Sequence, residues 1–261
     1  MKIELPDNIN LDYLDKYILS ILIDKQYSFS LYNKETQSVD FYYTLKSNKN
    51  NAFTDFQDLM FENEFFTSTF GKVYIINYSD RYTHIPEILF DEKDKESFMN
   101  FLFSDKLEKI LSNTVNETGI VTLHSINENI YDFFHRSFVD FELTHYTVPI
   151  ISYLQNIESS NSKQMFFNKS NTRLDVYCFF HNKLQLVNSF DCNSNNEAVY
   201  YLLLIWKQLK LDQMNDFLYS LSYNEEILEI LKTYINKVET LEYHNDIDKN
   251  VPFEIQILWN T

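Results

Sequence analysis

Only two glycines, Gly71 and Gly119, occur in a chain of 261 residues, where average usage of about 7% would place roughly 18. Glycine-rich phosphate loops are excluded on that ground. A P-loop needs bare positions so that backbone N–H groups can wrap a phosphate, and a Rossmann G-x-G-x-x-G needs them for its turn and for close approach to a pyrophosphate. Neither can be written with glycines 48 positions apart, and the nucleophile elbow G-x-S-x-G fails for the same reason. The chain is rich in Asn, which visits the left-handed region more readily than other non-glycine residues. Turns such as "HNK" (181–183) and "NKNN" (48–51) are therefore expected to close without glycine. Asn cannot, however, withdraw its side chain from the path of a phosphate.

Other scarcities narrow the choice further. Two cysteines, Cys178 and Cys192, make neither a disulfide framework nor a C-x-x-C knuckle, and both are expected as buried thiols. Basic residues number 22 against 38 acidic ones, for a formal charge of −16, and no run of three basic residues occurs. Such a surface repels a phosphate backbone, so nucleic acid is not an expected partner. No apolar run is long enough to cross a bilayer: "YILSILID" (17–24) is interrupted by Ser20 and stopped by Asp24. The start, "MKIELPDNINLDYLDK", has carboxylates where a secretory signal needs a basic start and an apolar stretch, so a cytoplasmic location is expected.

What the chain does have is apolar and aromatic mass, 44% and 17% of residues, enough for one large core or two modest ones. Residues 17–24 read as a strand buried on both faces. Tyr27, Phe29 and Leu31, then Val39, Phe41, Tyr43 and Leu45, alternate with smaller or polar residues, which completes three consecutive strands. A helix over 52–66, with Phe53, Phe56, Leu59 and Met60 on one face, and a strand "KVYIINY" (72–78) follow.

The second half repeats this order. "QMFF" (164–167), "RLDVYCFF" (173–180) and "KLQLVNSF" (183–190) are three strands. Ser194 and Glu197 make a capping-box signature before "AVYYLLLIWKQL", a helix apolar almost all round and expected between layers. A strand over 216–222 and a helix over 224–236, with Ile227, Ile230, Leu231, Tyr234 and Ile235 on one stripe, complete it. Thr172 lies 145 residues after Tyr27, and Asp216 lies 144 after Lys72, which suggests a duplicated unit. Between the repeats the pattern predicts a helix at 94–104, a strand at 119–126, a helix with Ile130, Phe133 and Phe134 inward, a strand near 139–145 and a helix through "VPIISYLQNI". The halves are expected as 1–157 and 158–261, divided at "ESSNSK" (158–163).

The segments "QYSFSLYN" (26–33), "KVYIINYSDRYTHIPEILFD" (72–91), "YDFFHRSFVDFELTHY" (131–146) and "LVNSFDCNSNNEAVYYLLLIWKQLKLDQMNDFLYSL" (186–221) resemble an uncharacterised bacterial family, domain of unknown function three-eight-two-two. The resemblance implies an α/β chain with an actin-like ATPase fold. Two RNase H-like subdomains, each with a mixed five-stranded sheet and helices, would face each other across a cleft. It also implies a likeness to the cytoplasmic actin-like components of type IV pilus and type II secretion assemblies. The family carries no established activity.

In actin-like ATPases the first turn of each subdomain carries a D-x-G pattern, the glycine admitting phosphate and the carboxylate positioning Mg²⁺. The matching turn of the first half is Asp24-Lys25-Gln26, where the acid survives and the glycine does not. In the second half the positions fall on Asn168 and Ser170, where both are lost. Asp24, Gln26, Asn168 and Ser170 are thus vestigial phosphate-loop positions, with no cofactor, catalytic residue or metal expected. The alternative is a divergent nucleotide-binding protein or ATPase that holds ATP with Mg through Asn, Ser and Thr groups.

Six histidines show no ligand spacing, and His135 and His145, which match family positions, are expected in structural roles. A nuclease-type acid cluster of Asp24, Asp175 and Asp191 sits badly with the acidic total, and Asp175, alternating with core-facing Leu174 and Val176, is expected to face solvent or an opposed Arg173 or Lys. The expected function is a non-catalytic protein-binding or scaffold module with an unknown protein partner.

Overall fold

The apolar run near the start of the chain becomes the central strand of a sheet in the computed structural model, which describes residues 2–46, 52–105, 107–115, 118–157, 162–170, 172–241 and 251–258. Strand β1 (Tyr17–Ile23) is buried at every position, as its pattern predicts. It pairs antiparallel with β2 (Tyr27–Asn33), which pairs antiparallel with β3 (Ser38–Thr44). Helix α1 (Ala52–Glu62) buries Phe56, Leu59 and Met60, and β4 (Lys72–Asn77) then returns parallel to β1.

An insertion follows. Strand β5 (Tyr82–Pro86), helix α2 (Lys95–Leu102), β6 (Lys109–Val115) and β7 (Ile120–Ile126) build a three-stranded sheet of order β5-β7-β6. It has a small core of its own, formed by Ile85, Met99, Ile110, Val121 and Leu123. Sequence pattern finds α2 and β7 but not β5 and β6. "YTHIP" carries a histidine and a proline, and Ser112, Asn113 and Thr114 break the apolar alternation of β6. Helix α3 (Glu128–Ser137) buries Phe133 and Phe134, and β8 (Glu142–His145) adds parallel to β4 to complete the order β3-β2-β1-β4-β8. Helix α4 (Thr147–Gln155) comes next.

Strands β9 (Gln164–Lys169), β10 (Arg173–Phe180) and β11 (Lys183–Asp191) form an antiparallel meander. Helix α5 (Asn195–Gln208) leads to β12 (Phe217–Ser220), parallel to β9, and helix α6 (Glu225–Lys232) leads to β13 (Lys237–Thr240), parallel to β12. The order is β11-β10-β9-β12-β13, the same sequence of senses as in the first sheet.

The chain divides into two compact units, residues 1–150 with 246–261, and residues 151–245. A short helix α7 (Phe253–Leu258), buried along its length, therefore groups with the first unit, although the expected halves placed it in the second. Six residues are too few for periodicity to reveal their neighbours.

Both glycines sit where a side chain does not fit the backbone. A Cβ on Gly71 would lie 2.3 Å from the Asp15 carbonyl oxygen, and Gly119 turns β6 into β7 at φ +66°. The "HNK" turn closes without glycine, through His181 and Asn182 at φ 49° and 57°. "NKNN" (48–51) lies outside the described residues.

Two expectations for the second unit are corrected. Helix α5 buries Ala198, Val199, Leu202, Ile205 and Trp206 but leaves Tyr200 and Leu204 exposed, so it is covered on one side only. Tyr234 lies beyond the end of α6 and is exposed, and Leu228 takes a place on the inner face with Ile227 and Leu231. The cap at Ser194 is present, with the Glu197 carboxylate reaching one residue further back than a capping box requires. Ser194 Oγ accepts from Glu197 N–H at 3.2 Å, and the Glu197 carboxylate reaches back to Asn193 N–H at 2.7 Å.

Candidate functional site

The first hairpin turn of each sheet is where a phosphate would have to be held. Asp24, Lys25 and Gln26 are exposed, and the Asp24 N–H donates to the Gln26 carbonyl at 3.2 Å. In the second unit β9 runs on to Lys169, so Asn168 lies inside the strand opposite Asp175 and not in the turn. Ser170 is in the turn. Its N–H donates to the Arg173 carbonyl at 3.0 Å, and its hydroxyl donates to the same oxygen at 3.3 Å. Counted from the last residue pair of each hairpin, Ile23 with Tyr27 and Lys169 with Leu174, Ser170 stands in the place of Asp24.

Asp175 does not face solvent. It is buried on β10, where it accepts from Ser189 Oγ at 2.5 Å and from Arg173 Nε at 3.2 Å. The expected Arg173 contact is there, but the alternation argument fails because β10 is covered on both faces. Asp191 is exposed at the end of β11, paired in register with Arg173. Among the described residues no group of His, Cys, Asp or Glu is arranged to hold a metal ion.

A second polar constellation, not expected from sequence, lies in the first unit between the edge strand β8 and the inserted sheet. Asn113 on β6 donates its amide to the Leu143 carbonyl at 3.0 Å and accepts the His145 N–H at 3.0 Å. One side chain thereby imitates a peptide partner for β8. His145 is buried, with Nε2 donating to the Ser79 carbonyl at 3.0 Å, which leaves Nδ1 to accept from Thr147 Oγ1 at 2.8 Å. Asn77 Nδ2 donates to both His124 Nδ1 at 2.9 Å and the Ser125 carbonyl at 3.1 Å, so His124 carries its proton on Nε2. Thr122 Oγ1 meets His84 Nδ1 at 3.0 Å.

Tyr82 lies over His145 with ring centroids 4.4 Å apart, and Tyr146 stacks on Tyr78 at 4.2 Å. The Tyr78 hydroxyl reaches the buried Glu254 carboxylate on α7. Burial lowers the His84 pKa to about 4 and that of His124 to about 3, so both rings are neutral near neutral pH. The expected structural role of His145 is met by this seam. His135 is exposed and rests against Tyr131 and Phe141. Cys178 and Cys192 are buried, and burial pushes the Cys178 thiol up to about 12, which keeps it protonated and unreactive.

A mixed sheet of three antiparallel and two parallel strands, built twice with the same order, defines the class as an actin-like ATPase fold. A protein of unknown function with that fold from Bacteroides thetaiotaomicron is similar at a TM-score of 0.84 and 24% identity, over 97% of this chain and 99% of that one. The chain belongs to the family described as protein of unknown function (DUF3822), whose profile matches residues 6–238. A chain of the PilM–PilN type IV pilus biogenesis complex is similar at a TM-score of 0.51 and 10% identity, over 92% and 94% of the two chains. The cytoplasmic domain of EpsL, an inner membrane component of the type II secretion system of Vibrio cholerae, reaches 0.46 at 8% identity, over 94% and 93%. Identities this low speak to fold alone. No curated protein matches the chain in sequence. Among the described residues no helix is long and apolar enough to cross a membrane.

Proposed function

We propose that this chain is a cytoplasmic, non-catalytic actin-fold module that binds a protein partner, and that its two sheets descend from one duplicated unit. The observation that carries the reading is the state of the two turns. The Asp24 and Ser170 amides, which would have to point at a phosphate, donate to carbonyls of their own turns. The Gln26 side chain also occupies the glycine position of the first turn, which needs to be bare for backbone to approach a triphosphate. The formal charge of −16 argues against nucleic acid as the partner. The likeness to a chain of a pilus biogenesis complex supports a protein in that role.

One observation favours the other reading, a divergent nucleotide binder using ATP with Mg: the Asp24 side chain is exposed at the position of the metal-orienting acid of actin-like ATPases. Thermal unfolding separates the two. With saturating Mg-ATP the midpoint stays where it is under the first reading, whereas a ligand at about 100 times its Kd would add roughly 2.7 kcal/mol under the second. A midpoint that rises by several degrees, and no longer rises in Asp24→Ala, would establish the second reading.

A further inference from the structure

The insertion of the first unit carries apolar side chains that its small core does not use. Between β5 and the end of α2, Phe90 and Phe98 pack on that core, and Met99 lies within it. Ile88 and Phe101 nevertheless stand 92% and 89% exposed, and Leu89 and Leu102 are exposed beside them. On α2 the inward position is Met99; Phe101, two residues on, falls on the other side of the helix. Four large apolar side chains exposed within 15 residues is more than the scattered single residues normal for a protein surface.

The same stretch is acidic. Residues 87–105 hold six carboxylates, at 87, 91, 92, 94, 96 and 105, against Lys93 and Lys95. Glu92 is paired with Lys95 and Asp105 with Arg81, while Glu87, Asp94 and Glu96 are exposed and enter no ion pair among the described residues. A second copy of this chain would bring the same acidic stretch against it, within molecules that each carry −16. An anionic lipid surface is disfavoured for the same reason. The complementary occupant has apolar anchors and positive charge.

We propose that Ile88, Leu89, Phe101 and Leu102, interspersed with Glu87 and Glu96, form a docking surface for a basic, amphipathic segment of a partner protein. This rests on the protein-binding reading above and gives that partner a place and a chemistry. Apolar anchors supply the affinity, and the free carboxylates speed encounter and reject acidic segments.

The test uses the full chain with a photo-crosslinking amino acid at position 101 and, separately, at position 200 on the second unit, irradiated in the native cell. The expected result is an adduct at position 101 to another protein through a peptide of net positive charge with apolar residues. A synthetic copy of that peptide binds the purified chain, and loses at least about tenfold in affinity for Phe101→Ser, the loss expected of a truncated aromatic anchor. Glu96→Lys, which leaves every apolar contact in place, weakens it most at low salt. Both variants keep the parent unfolding midpoint. An adduct at position 101 to a second copy, to lipid or to an acidic segment overturns the proposal. So does no adduct at 101; if position 200 then captures a protein, the binding reading survives at another surface, and if neither position captures one, that reading falls as well.

Discussion

The two units reach the same strand order by different routes, and the difference lies between their fourth and fifth strands. In the second unit α6 alone joins β12 to β13, whereas the first unit inserts a whole small sheet before α3 and β8. The insertion has to be held against the sheet edge, and that edge is where the buried His, Asn and Thr groups are found. Within the second unit the only histidine among the described residues is His181, exposed in a turn. Histidine burial thus follows the added structure, whereas buried Ser20, Gln164 and Asp175 belong to the shared plan. The price of such a seam is that the His84 and His124 imidazoles must stay neutral.

The largest expected way to set the units apart is acid. The unfolded chain binds protons to His84 and His124 below about 6.5, while the folded pKa values are lowered to about 4 and about 3. Their contribution to stability is therefore complete above about 6.5 and is lost progressively as pH falls toward those values. Hydrogen exchange at about pH 4.5, corrected for intrinsic rates, is expected to show amides of β7 and β8 losing protection before those of β10. Equal loss in both units would break the contrast.

Next in size is a paired comparison of acids near equivalent turns. Asp175→Ala removes the buried partner of Arg173 and Ser189 and should cost about 3 kcal/mol. Asp24→Ala, at an exposed turn, should stay within about 0.5 kcal/mol. Urea midpoints decide both. Gly71→Ala forces a Cβ against the Asp15 carbonyl, a backbone atom that cannot swing away, and is expected to cost about 2 kcal/mol. The effects of the helix caps should be alike in the two units. Asn127 caps α3 by accepting from Ile130 N–H, and Ser194 caps α5; replacing either by Ala should lower stability by about 1 kcal/mol in the same urea assay.

Much of this plan is legible in the sequence because strand alternation and helix periodicity report burial directly. β1 to β4, β9 to β12, and the five longer helices after α1 fall where the apolar pattern predicts, and Ser194 announces its helix. The pattern misleads where burial is not one-sided. Asp175 looks like an outward position of an alternating strand, yet β10 is covered on both faces and the carboxylate is satisfied internally. The inserted sheet hides for a related reason, since the inward face of β5 and β6 is partly polar, with His84 and Asn113 where apolar residues would have marked a strand. The sequence alone puts Asn168 in the turn because nothing in "NKSNT" marks where a strand stops, whereas hydrogen bonding carries β9 on to Lys169. The two glycines, by contrast, speak plainly: scarcity excludes glycine-rich phosphate loops, and the two present sit at a steric contact and a left-handed turn.

Equilibrium binding of labelled Mg-ATP to the purified full chain tests the central claim most directly, because it asks whether turns with engaged amides and filled positions can still take a triphosphate. The account predicts no saturable binding at millimolar nucleotide, a level that corresponds to about −4.1 kcal/mol. Saturable one-to-one binding well below that concentration, weakened by Asp24→Ala, would contradict it.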